Sequence, residues 1–342
     1  MRPSPGTLLG AVFSVFLAAG LCPPARASEK EAVGTSGAQF LKLGVNARAI
    51  ALGGAYSAVA DGSDSVYYNP AGLSRVEAQS ASFMHSIFFD GIYYDFLSYA
   101  RRLTSAWTLG GGLQYLNSGS VQKTDDFGSE VGSFSPYDMA VSLGGARKFF
   151  GTRELAVGFT GKLIQSRITE TAATGAVDLG LLWHPVRKWR VSWVAQNFGP
   201  GLKYRSQRDT LPFNMKLGFL FHALRVLNLS ADVNFPNDND AHVSFGSEYR
   251  RMLGYDRWAA GRVGLNPKSS DTNSASVVSA GAGFGWRKFS VDFSWSPFSD
   301  LGNAYRFSLA VDFGGDRDGT PASLRGPART PKRYRDIYYS TK

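Results

Sequence analysis

Four histidines, His85, His184, His222 and His242, are the side chains of this 342-residue sequence best suited to proton transfer or metal binding. None stands in a His-x-x-x-His or Glu-x-x-His pair, so the spacing of a zinc-type ligand set is missing. His242 has Asp240 and Ser244 nearby, the residue types of a hydrolase triad. A two-residue spacing on a strand puts His242 and Ser244 on one face without joining ring to hydroxyl, and no Gly-x-Ser-x-Gly turn occurs. Gly53-Gly54 lacks the Lys-Ser or Lys-Thr that completes a phosphate loop. The expectation is a protein with no enzyme activity, no cofactor and no bound metal.

The elements must then build a surface or a passage rather than hold a reacting group. Between Glu77 and Phe313, apolar residues recur at every second position in runs of roughly ten to twelve, separated by Gly, Asn, Asp, Ser or Pro. Leu229, Ala231, Val233 and Phe235 point one way, and Ser230, Asp232 and Asn234 the other. The alternation predicts strands at roughly 78–89, 92–102, 105–116, 137–150, 154–167, 171–183, 189–199, 211–222, 225–235, 241–250, 255–266, 274–285, 288–296 and 303–313. Every second connection is short, as at Leu103-Thr104, Ala223-Leu224 and Trp286-Arg287, and the others are mostly longer and more polar, up to Asn117 to Pro136. Tight turns alternating with loops predict an all-β fold, a transmembrane antiparallel β-barrel of about fourteen strands with a short N-terminal plug containing helix. A soluble sandwich is the competing fold, but it rarely needs so many long strands in one domain.

Phe149, Phe150, Trp183, Trp189, Phe221, Tyr255, Trp258 and Trp286 fall beside the short turns, where a girdle at a headgroup layer would need them. Tyr115, Phe198, Phe235, Trp295 and Phe298 would form the opposite girdle. Asp138, Lys162, Asp178, Arg190, Lys216, Asp232, Glu248, Arg262, Asp292, Arg306 and Asp312 share the other phase and would line the lumen. A narrow lumen of mixed charge reads as a stabilising network before it reads as a selective pore.

Residues 1–27 resemble a secretory signal peptide: Arg2, an apolar stretch from Leu8 to Leu21, then Ala25-Arg26-Ala27. That stretch is short for a membrane span. Cys22 follows Leu21, a bulkier residue than lipid-attachment sites usually carry. With the only cysteine removed by cleavage, the hydrogen-bond ladder and packing must hold the fold. The net charge of +10 is spread along the chain except near the C-terminus, and no nucleic-acid motif accompanies it. Residues 314–342 read as a basic, Pro-containing, disordered tail in the periplasm, dispensable for folding.

Residues 28–76 break the alternation. Small residues fill the stretch from Phe40 to Ala60, as close packing inside a barrel requires. Asn69 is placed to cap a short helix opened by Pro70. The segment is read as a plug, with a periplasmic extension below the barrel as the other possibility. Gly53, Gly54, Asn69, Pro70, Ala71 and Gly72 form its motif. Phe40, Leu43, Ile50, Tyr67 and Tyr68 are candidates for a hydrophobic lining, or simply for the plug's own packing.

The stretch from Asn46 to Asp61, followed by Tyr67-Tyr68-Asn69-Pro70-Ala71-Gly72-Leu73, resembles the N-terminal signature of PorV/PorQ-like outer-membrane proteins, within the FadL-like transporter superfamily. Leu211-Pro212, Gly246 to Tyr249 and Arg262-Val263-Gly264 are similar to weaker marks of the same family. The resemblance implies a fourteen-stranded barrel in the outer membrane of a diderm bacterium, plugged by the Asn-Pro-Ala turn, with outer-membrane lipid around it. It implies one of two roles: docking secreted cargo proteins or other secretion components, or passing a hydrophobic small molecule through a lateral opening. The first is the main expectation, with Asn117 to Pro136 and Phe198 to Thr210 as the docking surface; a purely structural protein is a third possibility. Both termini are expected on the periplasmic side.

Overall fold

The computed structural model describes residues 35–88, 91–149, 154–204, 207–254, 256–267, 277–297 and 302–314. The signal peptide, nearly all of the tail, Phe150, Tyr255 and Phe298 lie outside those residues. Strands β1 (Gln79–Ile87), β2 (Tyr93–Arg102) and β3 (Trp107–Asn117) are followed by β4 (Val121–Thr124) and β5 (Glu130–Phe134). Then come β6 (Tyr137–Phe149), β7 (Glu154–Arg167), β8 (Thr171–Val186), β9 (Trp189–Phe198), β10 (Leu202–Tyr204) and β11 (Gln207–Asp209). The chain continues through β12 (Asn214–His222), β13 (Leu227–Pro236), β14 (His242–Met252), β15 (Arg257–Leu265), β16 (Val278–Trp286), β17 (Phe289–Pro297) and β18 (Asn303–Phe313). Fourteen of these close into one antiparallel barrel, while β4 with β5 and β10 with β11 form two separate hairpins. Closure runs from Gln79 opposite Phe313 to Ile87 opposite Tyr305, so no long strand keeps an open edge.

The alternation resolves into two unlike faces. Leu97, Leu143 and Leu163 are 54%, 70% and 73% exposed on the outside, whereas Ser98, Ser142 and Lys162 are buried within. An apolar exterior around a polar interior is the inside-out pattern of a bilayer-spanning barrel. Among the described residues no helix is long and apolar enough to cross a membrane, so any crossing is made by the strands. The charges expected in the lumen do turn inward, with Lys162 against Asp178 at 2.6 Å and Arg262 against Glu248 at 2.7 Å. Trp258 departs from the expected girdle: it shares the inward phase of Ala260 and Arg262 and packs beneath the Arg250 guanidinium at 3.7 Å.

The lumen is filled by the chain preceding β1. Two helical turns, α1 (Ala47–Ala51) and α2 (Ser65–Tyr68), and two 3-10 turns, Gln39–Lys42 and Pro70–Arg75, make a plug whose side chains are mostly buried. The plug threads the barrel from end to end. Gly37 donates to the Thr210 carbonyl among the loops (2.9 Å), and at the turn rim Arg102 donates to the Ala78 carbonyl (2.8 Å). The first described residues therefore sit at the loop rim, opposite Phe313. The termini themselves, expected on the periplasmic side, lie outside the described residues.

Threading demands a wall that gives way, and glycine provides it. Gly53 has φ +66, and a Cβ there would lie 2.7 Å from the backbone of Leu265. Across the contact, a Cβ on Gly264 would fall on the Gly53 nitrogen, whereas one on Gly261 of the same strand would meet nothing within 4 Å. Gly264→Val should accordingly cost about 3 kcal/mol or more, since backbone cannot yield as a side chain does. Gly261→Val should be near neutral. Heat-modifiable migration on a gel would read both; equal behaviour of the two variants would contradict the seating of the plug.

Candidate functional site

The Asn-Pro-Ala turn forms as its residue types dictate. Asn69 is extended (φ −161°), its side-chain oxygen accepts from the Ala71 N–H at 3.1 Å, and Pro70 takes the first position of the 3-10 turn, where a missing N–H costs nothing. The Asn69 amide also donates to the Ser57 carbonyl at 2.9 Å, tying two passes of the plug together. Ala71 is fully buried, and a Cβ on Gly72 would lie 2.8 Å from the Ala60 carbonyl oxygen. Gly54 (φ +80) continues the left-handed turn begun by Gly53.

The five candidate lining residues lie in the packing of the plug. Phe40, Tyr67 and Tyr68 join one buried cluster, Leu43 packs on its edge, and Ile50 closes over Gly44. The Tyr67 and Tyr68 rings meet edge to face at 4.8 Å, and Tyr56 meets Tyr68 in the same way at 4.9 Å. Both hydroxyls work on backbone: Tyr67 reaches the Leu41 carbonyl at 2.9 Å, and Tyr68 accepts from the Val45 N–H at 2.9 Å. These residues pack the plug.

Charge fixes the plug to the wall. Arg48 makes a two-pronged contact with Glu248 at 2.8 and 3.0 Å and reaches Asp61 at 3.0 Å. Arg262 joins Glu248 to Asp292 at 2.7 and 2.6 Å. Removing Glu248 would leave two guanidinium groups facing each other in a dry site. Glu248→Ala should cost about 3–5 kcal/mol, read as a lower thermal midpoint in detergent; an unchanged midpoint would mean the network is ornamental.

At the loop rim, Asp238 receives Lys42, Ser36 (2.7 Å) and Gln39 (3.1 Å) from the start of the plug. Burial works to raise its pKa, yet the hydrogen bonds from Lys42, Ser36 and Gln39 outweigh it and hold the carboxyl below its ordinary value. A depressed pKa means the anchor is whole above the ordinary carboxylate range and is lost as pH falls through the folded value. Pepsin cleavage near Gln39 should therefore accelerate between about pH 4 and about pH 2, and Asp238→Asn should flatten that dependence.

Among the described residues the β8–β9 ladder shifts register twice, between Trp183 and Val186 near the turn rim and between Val177 and Leu179 toward the loop rim. The second shift meets the plug. Along the β8–β9 ladder, Val177 faces Phe198 but Leu179 faces Ala195, so Gln196 and Asn197 together oppose Asp178. Asn197 has φ 61°, a conformation Asn tolerates better than other residues with a Cβ. Its N–H donates to Asp178 at 2.7 Å, its carbonyl side accepts from Lys162 at 2.8 Å, and its amide donates to the Pro212 carbonyl at 3.0 Å. Gln196 donates to the Tyr67 carbonyl at 2.6 Å, so the interruption touches the plug directly. Outside it lies an open, mostly apolar groove of about 760 Å³ bordered by Leu143, Leu163, Val177, Phe198 and the glycines 161, 175 and 199, with Lys162 at its inner edge. The run Gln196-Asn197-Phe198-Gly199-Pro200-Gly201 held the signal, since Asn and Gly are the residues that tolerate such a bend.

No protein-family model matches the chain, and no curated protein does. Solved structures match in fold. The CymD monoaromatic hydrocarbon channel aligns with a TM-score of 0.53 and 14% identity over 79% of this chain and 98% of that one. The Pseudomonas putida toluene transporter TodX aligns with a TM-score of 0.51 and 10% identity over 78% and 96%. A Pseudomonas aeruginosa FadL homologue aligns with a TM-score of 0.49 and 10% identity over 79% and 98%. The chain shares the barrel fold of the CymD and TodX structures. None of these neighbours carries a PorV or PorQ name, so the likeness covers the barrel fold and does not reach the branch drawn from the N-terminal signature.

Among the described residues no histidine belongs to a metal-binding cluster. His85 lies 2.7 Å from Asp95 on the outer face, and His222 lies 2.7 Å from Asn228. His242 contacts the Asp240 carbonyl at 3.2 Å, and Ser244 is buried.

Proposed function

We propose that this chain is a non-enzymatic outer-membrane channel that passes a hydrophobic small molecule through its wall rather than down its lumen. The carrying observation is the break in the β8–β9 ladder, with an apolar groove outside it and the plug residue Tyr67 behind it. An apolar solute gains nothing from a polar lumen, and the buried Lys162–Asp178 pair would exclude it further. The groove offers such a solute a route on the side where hydrocarbon already lies. The neighbours titled as a hydrocarbon channel and a toluene transporter support a solute of this class. In this reading the turns face the periplasm and the loops face outward.

Gln196 and Lys162 give the passage a latch. Both touch Tyr67, the first through its carbonyl and the second with its ammonium 5.7 Å from the ring. A shift of the plug at Tyr67 would loosen the bonds that hold Asn197 in its bend. The cargo-docking reading keeps one observation of its own: the β4–β5 hairpin stands clear of the barrel with Phe127 94% exposed at its tip. Its partners would be secreted proteins.

The groove can be filled without touching the plug. A Cβ on Gly161 or Gly175 would meet backbone only at 3.9 or 3.6 Å, ordinary contact distances, so bulk added there has room to project outward. Gly161→Trp with Gly175→Trp should leave a folded, heat-modifiable barrel while uptake of a labelled monoaromatic hydrocarbon falls to the level of cells lacking the protein. Undiminished uptake by the folded variant would sink the wall route, and loss of secreted-protein capture on trimming residues 121–134 would favour docking.

A further inference from the structure

The outer face of the barrel differs sharply in charge between its two rims. At the turn rim, Arg101, Arg147, Arg251 and Arg257 all occupy outward-facing positions and are exposed. Each lies within three residues of a short turn. Alternation assigns their direction: Tyr99 and Phe149, the outward neighbours two residues along, are 42% and 41% exposed, while Ala100 and Ala146, each next to one of the arginines, are buried. At the loop rim, by contrast, Arg167 is the one outward-facing lysine or arginine on the barrel strands among the described residues. That rim carries a belt of Tyr93, Tyr115 and Tyr137, with neighbouring rings 6.3 and 6.0 Å apart.

The turn-rim guanidinium groups are set among rings. Arg147 lies 5.7 Å from the Trp107 centroid and 5.0 Å from that of Phe149. Arg257 is opposite Trp286 in the ladder, and Arg287 lies 5.4 Å from the same ring. Trp and Phe at a strand end settle in the headgroup layer, which fixes the arginines at the depth of lipid phosphates. Asp256 is shared between Arg257 and Arg287, at 3.9 and 3.3 Å. Among the described residues no carboxylate forms an ion pair with Arg101, Arg147 or Arg251, so this rim keeps a surplus of positive charge.

We infer that the turn rim is a binding collar for anionic phospholipid headgroups, with Arg101, Arg147, Arg251 and Arg257 meeting their phosphodiesters. A guanidinium is weakly hydrated and matches two phosphate oxygens at once, which suits it to this layer better than an ammonium. The collar is independent of the transport reading, because it lies on the opposite rim from the groove's bend at Asn197 and serves a channel or a docking protein equally.

Native mass spectrometry of the full-length protein, extracted in neutral detergent and offered phosphatidylglycerol or phosphatidylcholine, tests it. Wild type should retain phosphatidylglycerol in preference, and the variant R101Q/R147Q/R251Q/R257Q should lose that preference. Each arginine removed is expected to weaken retention about fivefold. Arg167→Gln at the loop rim should change nothing, and inorganic phosphate at equal concentration should not displace the lipid. Should the fourfold variant fail to fold, R101Q/R251Q leaves the ring-stacked Arg147 in place and should show an intermediate loss. Equal retention of the two lipids by wild type, or full retention by the folded variants, would overturn the inference. Displacement by free phosphate would do the same.

Discussion

Irregular backbone at membrane depth is tolerable only if its polar groups find partners, and the whole molecule is arranged around that requirement. The plug contains two short helical turns and little other regular structure, so most of its N–H and carbonyl groups cannot serve one another. The wall serves them. Asp232 accepts from the Tyr56 and Ser57 N–H groups at 3.3 and 3.0 Å, and Ser308 accepts from Ala47 at 2.8 Å. Arg190, Gln196 and Thr160 donate to the carbonyls of Ala58, Tyr67 and Val66 at 3.0, 2.6 and 3.1 Å. A lumen-facing polar residue here is chosen for the plug atom it meets. This explains why the interior is charged and polar without being an open aqueous pore.

The same requirement separates what could be read in the sequence from what could not. Strand positions were legible because a bilayer outside and a polar interior impose a period of two on every barrel strand; β7 and β18 fall on their predicted residues. The Asn69 cap and the Pro70 start were legible because both are local, written in adjacent residues. The route of the plug was not. Which wall residue meets which plug carbonyl depends on contacts such as Arg48 with Glu248, two hundred residues apart. The roles of Phe40, Tyr67 and Tyr68 stayed ambiguous for a related reason, since an apolar residue that lines a pocket and one that fills it have the same composition. Trp258 misled because an aromatic near a turn has two faces available, and only the alternation with Arg262 decides between them.

The ladder break at Asn197 escapes the alternation for a physical reason. Strand alternation describes a residue's direction but is blind to an inserted residue, which shifts the phase by one without changing composition. Gln196 and Asn197 are such an insertion. The strand was predicted to run on to residue 199, and it ends at Phe198 with the bulge already made. A conserved phase on both sides would have hidden it entirely. What marks it physically is a cluster of demands: an αL Asn, a buried ion pair to hold it, and Gly199 pressed on the backbone of β8.

These features bear on one another energetically. The glycines that let the plug approach the wall also make it costly to withdraw, because close backbone contact and the Arg48–Glu248–Arg262–Asp292 chain would all have to be given up together. Moving the entire plug is therefore the hard way to open this barrel. The contacts around Asn197 are fewer, local, and concentrated where the ladder has already surrendered its regular pairing. On the proposed wall route, an opening there would exchange the bonds of Asn197 and Gln196 and the Lys162–Asp178 pair while the Arg48 anchor holds. The plug would hold in place on that route while the contacts around Asn197 exchange.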